Sequence, residues 1–327
     1  MSKGLGEKLK VAVIGARGIG KHHAKWFARA GCEVTAIYGT TPESAAAAAE
    51  GLRGLFDFSG RAFHEWDRFR EEAEFEACSL GSPMQDHLAN VRDLAADGKH
   101  ILCEKPLVWN WDYDAPQLMA DAVALEQVAR KAGVILAMNA QYPAILEGYT
   151  ALHQAALGRA PEYHRLHFVM ESKGAPRSAL GCADAWVDLG PHPIAGLDQL
   201  APGEVDWSTL RHTDGPIEAI LDFEWISGGR RLPIHLETRR VPGGAIRREL
   251  GNQDLIAEYE GCTIDGDFAA RLRGGGQEWT GLDPMRVCVS RFVDAVREGD
   301  PSRVLVSGEA ALRQQAVLVG VWQRCWG

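Results

Sequence analysis

Two hydrophobic periods divide the chain. In the first third, short apolar runs alternate with stretches of helical spacing. "KVAVIGA" (Lys10 to Ala16) is β-branched and apolar and reads as a buried strand. "IGKHHAKWFARAG" (Ile19 to Gly31) sets Ile19, Ala24, Phe27 and Ala28 at helical spacing, with Gly31 as its stop. The strand "EVTAIYG" follows, then an alanine-rich helix opened by "TPES" and running to about Glu50. After these come a strand at Ala77 to Leu80, a helix from about Gln85 to Ala96, and the strand "HILCE". Strands alternating with helices predict a parallel, doubly wound sheet.

Past Leu107 the pattern changes. "VWNWDYDAP" is aromatic and irregular, and a helix from about Pro116 to Lys131 leads into the strand "VILAMN". From about Tyr163 the strand candidates come in succession: "YHRLHFVMES", "IEAILDFEWI", "RLPIHLETRRV" and "DLIAEYEGCTI", joined by turns containing Gly and Pro. Strands without intervening helices predict an antiparallel sheet. Two helices, about Asp283 to Glu298 and Gly308 to Gln323, close the chain. The fold class expected is therefore α/β, with two domains divided as 1–139 and 140–327, a number that suits 327 residues.

Composition narrows the partners. A formal net charge of -9 argues against nucleic acid or an anionic membrane, since phosphate binding needs a concentrated basic field. A small-molecule ligand is expected instead. The seven cysteines are dispersed, odd in number and never spaced C-x-x-C, so neither a disulfide framework nor a zinc or other metal site is suggested. No stretch approaches the roughly 18 apolar residues of a membrane span, and the start has no secretion-signal pattern; a cytoplasmic protein is the expectation.

Two stretches carry cofactor chemistry. "GARGIG" (Gly15 to Gly20) lies between a strand and a helix, where Gly15, Gly18 and Gly20 would let backbone approach a pyrophosphate and the helix would present free N–H groups. Its spacing is G-x-x-G-x-G, not the common G-x-G-x-x-G, and a glycine-rich turn of any α/β protein would read similarly in isolation. After the second strand, "YGTT" offers no acid before Glu43 to bind the ribose of NAD. The hydroxyls of Thr40 and Thr41, with Arg17, would suit the 2'-phosphate of NADP.

Two more stretches carry reaction chemistry. "LCEKPL" (Leu102 to Leu107) puts Glu104, Lys105 and Pro106 at the carboxyl end of a parallel strand, where ligands of such sheets bind. There Lys105 would serve proton transfer, or would simply pair with Glu104 at the surface. In "DLGPHPIAGLD" (Asp188 to Asp198), Pro191 and Pro193 place a helix start near Gly190 or Pro191, with His192 in the first turn. The dipole there would keep His192 neutral, and Asp188, just ahead, would orient it or a substrate hydroxyl; an N-cap Asp with a structural His is the plainer alternative.

These stretches together carry a resemblance. "GARGIGKHHA", "SPMQDH" (Ser82 to His87), "GKHILCEKPL", "DLGPH" and the closing "RFVDAVREGDPSRVLVSGEAALR" resemble, in order, the glucose-fructose oxidoreductase, inositol dehydrogenase and rhizopine catabolism family. The resemblance implies an N-terminal Rossmann domain and a C-terminal domain with a large open sheet that builds homodimers or homotetramers. It implies hydride transfer between nicotinamide of NADP or NAD and a hydroxyl or carbonyl carbon of a sugar or polyol. By position, Lys105 contacts the reacting oxygen, His192 gives or takes the proton, and Asp188 positions substrate. Ile19, Ser82, His87 and Glu104 join the glycine loop around the cofactor. The segment after Leu107 is longer than usual in that family, and Trp109, Trp111 and Tyr113 would stack on a sugar ring or serve packing. A dinucleotide-binding sensor, or a glycosidase using bound NAD for transient oxidation, are the competing readings.

Overall fold

The structure, a computed structural model, describes residues 7–174 and 181–327. The chain forms two compact units. The first contains the described residues up to Asn139 together with Met285–Leu312. The second contains those of Ala140–Pro284 together with Arg313–Gly327.

In the first unit the elements are β1 (Lys10–Ile14), α1 (Gly20–Arg29), β2 (Glu33–Tyr38), α2 (Pro42–Arg53), β3 (Arg61–Phe63), α3 (Trp66–Glu72), β4 (Ala77–Leu80), α4 (His87–Ala96), β5 (His100–Glu104), α5 (Ala115–Ala132) and β6 (Leu136–Asn139). All six strands run parallel in the order β3-β2-β1-β4-β5-β6. Val11, Val13 and Ala77 from the strands meet Ala24 and Phe27 of α1 in one core. Short β3 and α3 escape the sequence reading because three and seven residues show no period, and Phe69 is the sole buried residue of α3.

The second unit holds α6 (Leu146–Leu157), β7 (Leu166–Lys173), α7 (Cys182–Leu189), α8 (Pro191–Leu200), β8 (Glu204–Asp214), β9 (Glu218–Ser227), β10 (Arg230–Val241), β11 (Arg248–Asn252), β12 (Ile256–Ile264), β13 (Asp267–Gly274) and β14 (Gln277–Leu282). Its eight strands are ordered β14-β13-β12-β11-β7-β10-β9-β8, antiparallel except where β10 meets β7. Strict alternation on β10 buries Leu232, Ile234, Leu236 and Thr238 and turns Arg231, His235, Glu237 and Arg239 to the other face. Helices α6, α7 and α8 pack on the sheet, with α7 against β9 and β10.

Two helices follow, α9 (Pro284–Glu298) and α10 (Gly308–Cys325). A single cut after Asn139 assigns all of Met285–Leu312 to the second domain, whereas these residues return to the first unit. The cause is the apolar stripe of α9: Met285, Val289, Phe292 and Val293 join the core beneath β1 and α1.

Candidate active site on the Rossmann unit

The strand order reverses direction between β1 and β4, so the crevice beyond their carboxyl ends is where a ligand binds an open parallel sheet. The glycine loop leaves β1 there. Gly15 has φ +80°, and a Cβ on it would lie 2.4 Å from the Gly81 carbonyl oxygen. A Cβ on Gly20 would lie 2.6 Å from the Gly15 carbonyl oxygen and 3.1 Å from the Val13 side chain. These two glycines are demanded by close approach within the protein. Gly18 differs: its φ is not positive, and a Cβ there would meet no atom within 4 Å. The space over Gly18 fits the close approach of a cofactor phosphate. Arg17 and Ile19 are exposed beside it, Ile19 by 40 %. The first turn of α1 has no acidic residue and no side-chain cap, which suits an anion at its start.

At the end of β2, Thr40 is exposed, but Thr41 is engaged. Its hydroxyl accepts the Ser44 N–H at 3.1 Å, and Ser44 Oγ accepts the Thr41 N–H at 3.0 Å, a reciprocal cap on α2. Glu43 is drawn to its own backbone N–H and to the Thr41 hydroxyl, which lowers its carboxyl below the ordinary range. Of the residues read as 2'-phosphate ligands, Arg17 and Thr40 remain uncommitted to the helix cap.

Ser82 and His87 hold the loop after β4. The buried His87 ring faces the Ser82 carbonyl through Nε2 and the Leu107 carbonyl through Nδ1, each at 3.1 Å. Burial lowers its pKa against those bonds. The ring pins the Ser82 and Leu107 loops to each other, so its part at the site is to position backbone. Ser82 Oγ accepts from Asn90 at 2.9 Å.

Lys105 follows β5 directly, half-buried, with a cis bond to Pro106. Behind it Glu104 is buried, its Oε1 2.5 Å from Asn139 Nδ2 and 2.9 Å from His23 Nε2. Burial raises this carboxyl, but the hydrogen bond and charge of His23, aided by Lys105 and Asn139, outweigh it and bring it to about 2. His23 and Asn139 were not singled out in the sequence. The available signal was the one that exposed "LCEKPL", a polar residue closing an apolar strand, which "VILAMN" repeats.

In the second unit, His192 is buried in the first turn of α8, and its Nδ1 accepts the Gln141 N–H at 3.1 Å. An N–H aimed at Nδ1 places the proton of the neutral ring on Nε2. The expected cause, an open helix start, is corrected: α7 runs up to Gly190, which is itself helical at φ -52° and ψ -38°. Asp188 accordingly lies in the last turn of α7, where it does not cap α8. It pairs with the buried Arg240, whose Nε also lies 3.3 Å from Asp184. Arg240 was missed because it is one of four arginines on β10 and only its burial distinguishes it. Trp109 is fully buried, which accords with packing; Trp111 sets its ring edge-on to it at 5.3 Å.

A parallel sheet in this order, with a glycine loop on its first strand-to-helix turn, defines a dinucleotide-binding Rossmann protein. Residues 9–140 match the family described as "Oxidoreductase family, NAD-binding Rossmann fold". Over this unit the chain is similar to the glucose-fructose oxidoreductase, inositol dehydrogenase and rhizopine catabolism family of NAD(P)-binding oxidoreductases. An uncharacterised oxidoreductase of Rhizobium meliloti is 25% identical over 295 residues, 83% of each chain. UDP-N-acetylglucosamine 3-dehydrogenase GnnA from Acidithiobacillus ferrooxidans shares the fold with a TM-score of 0.71 at 22% identity, over 96% of this chain and 97% of that one. So does KijD10, a 3-ketoreductase from Actinomadura kijaniata solved with TDP-benzene and NADP, with a TM-score of 0.67 at 20% identity over 95% and 96%. Among the described residues no helix is long and apolar enough to cross a membrane.

Proposed function

We propose that this protein transfers a hydride between C4 of a bound nicotinamide and the hydroxyl or carbonyl carbon of a sugar, polyol or related small molecule. The observation that carries the reading is Lys105 at the carboxyl end of β5, in the same sheet as a glycine loop left open at Gly18. The nicotinamide would supply the hydride acceptor or donor. Gly15, Gly18, Gly20 and the first turn of α1 would hold the pyrophosphate, with Ile19, Ser82 and Glu104 lining the cofactor's side of the crevice. Lys105 would exchange the proton of the reacting oxygen. His192, with Nδ1 already accepting, would donate from Nε2 to that oxygen, and Asp188, paired to Arg240, would orient substrate. Lys105 and His192 belong to different units, so their joint action is part of the proposal. The likeness to GnnA, a UDP-N-acetylglucosamine 3-dehydrogenase, and to KijD10, a 3-ketoreductase, supports the substrate class.

The cofactor is proposed to be NADP in preference to NAD, since no acid follows β2 before Glu43 that would repel a 2'-phosphate. Fluorescence titration should show tighter binding of NADPH than NADH, and Arg17→Ala should weaken NADPH alone by roughly 10- to 100-fold, the worth of one charge-assisted bond. Equal affinity for both would refute the preference. Absence of binding by either would refute the dinucleotide reading.

Assembly as a homodimer or homotetramer is proposed to use the sheet face that β10 turns away from the helices. It carries exposed Ile256 and Ile264 amid ion pairs such as Arg273 with Glu260 at 2.9 Å. Light scattering should return a mass of two or four chains, and a monomer at micromolar concentration would sink this assignment.

A further inference from the structure

Glu104 is an expensive residue to bury. A carboxylate out of water is tolerated only when donors surround it, and here they come from two other elements. His23 Nε2, on α1, stands 2.9 Å from Oε1, and Asn139 Nδ2, at the end of β6, stands 2.5 Å from it. Ser79 Oγ, on β4, lies 2.6 Å from His23 Nδ1 and completes the ring's partners. His23 and Ser79 are fully buried and Asn139 is 2 % exposed. Asn139 Oδ1 has no partner, so this amide leaves its acceptor unsatisfied while its NH2 meets the carboxylate. The other oxygen of Glu104 accepts the backbone N–H of Lys105 at 3.3 Å. A neutral glutamine would reach that N–H at far lower desolvation cost, so the charge itself needs a purpose.

We propose that His23, anchored by Ser79 and joined by Asn139, is a positioning residue for Lys105, acting through Glu104, which it keeps as a carboxylate against the start of the Lys105 turn. The proposal rests on the assignment of Lys105 as the proton-handling group. It also gives α1 two duties, since His23 lies three residues beyond Gly20 of the cofactor loop. The charge beside Lys105 and the helix beneath the cofactor are thus parts of one buried network.

The groups facing Glu104 are His23, His87, Cys103 and Lys105. With its pKa at about 2 against an ordinary 4.5, Glu104 is charged at all working pH, and the stability this gives is present above about pH 4.5 and lost as pH falls towards 2. Without His23, burial loses its main opponent and the carboxyl is driven upward.

The test is the reaction of Lys105 with 2,4,6-trinitrobenzenesulfonate from pH 5 to 9, its modification located by peptide mass spectrometry, with NADPH affinity measured in parallel. Wild-type reactivity should rise smoothly with pH. H23A should add a step on the acid side and modify Lys105 about tenfold faster at pH 6, because a neutral Glu104 no longer favours the ammonium. H23Q, able to donate from its amide, should restore the smooth rise, and E104Q should behave alike with or without H23A. S79A, a milder variant, should show the same change in smaller degree should H23A fail to fold. Wild-type curves in both H23A and S79A would overturn the network and leave the function standing. Unchanged turnover in K105A would overturn the function and leave these curves as they are.

Discussion

Lys105→Ala is expected to lower kcat by roughly 10²- to 10⁴-fold, the range that one positioned acid or base contributes, while NADPH affinity stays within a few-fold of wild type. The separation follows from where the side chain stands. Lys105 leaves the carboxyl end of β5, whereas the phosphate-facing backbone lies on the β1-to-α1 loop, with β4 between the two strands. Removing the lysine deletes the proton route and leaves the glycine loop, the first turn of α1 and Arg17 as they were. Arginine should not rescue, because its guanidinium holds its proton at any working pH. Steady-state rates with a substrate taken from a screen of sugars and inositols, beside fluorescence titration of NADPH, make the measurement. Retention of wild-type kcat in K105A would end the assignment.

The second large effect separates two glycines of one loop. Gly15→Ala is expected to destabilise the protein by about 2–5 kcal/mol, since φ is +80° and the new Cβ would stand 2.4 Å from the Gly81 carbonyl oxygen. Gly18→Ala should leave the melting temperature nearly unchanged, because nothing lies within 4 Å of its Cβ, yet weaken NADPH about tenfold or more by filling the space left for a phosphate. Thermal denaturation and NADPH titration of both variants decide it. If Gly18→Ala binds NADPH as wild type does, the cofactor does not pass over Gly18. If Gly15→Ala melts as wild type does, the loop does not need the contact with Gly81.

Much of the first unit was legible because strong periods mark it. β1, β4 and β5 were read at their observed positions from apolar runs closed by Gly or charge, and α5 from its long helical spacing. Strands β8, β11, β13 and β14 were not, since β8 alternates weakly along "EVDWSTLRHTD" and the other three are short or carry charges on their open face. The return of α9 was also hidden. Its stripe announces that it packs, but not on which core.

For the site, residue types that are chemically out of place in a strand or helix were enough to mark Lys105, Glu104 and His192. What those residues can do was set elsewhere. Gln141, fifty-one positions from His192, assigns the imidazole tautomer; Arg240, fifty-two positions from Asp188, takes up its charge; His23 and Asn139 determine the ionisation of Glu104. The sequence by itself determined the parallel sheet, the glycine loop and the identity of the candidate reacting groups, because local period and turn chemistry are written over neighbouring residues. The tertiary structure alone decided the protonation and orientation of those groups, because burial and hydrogen-bond partners arise only when distant segments meet.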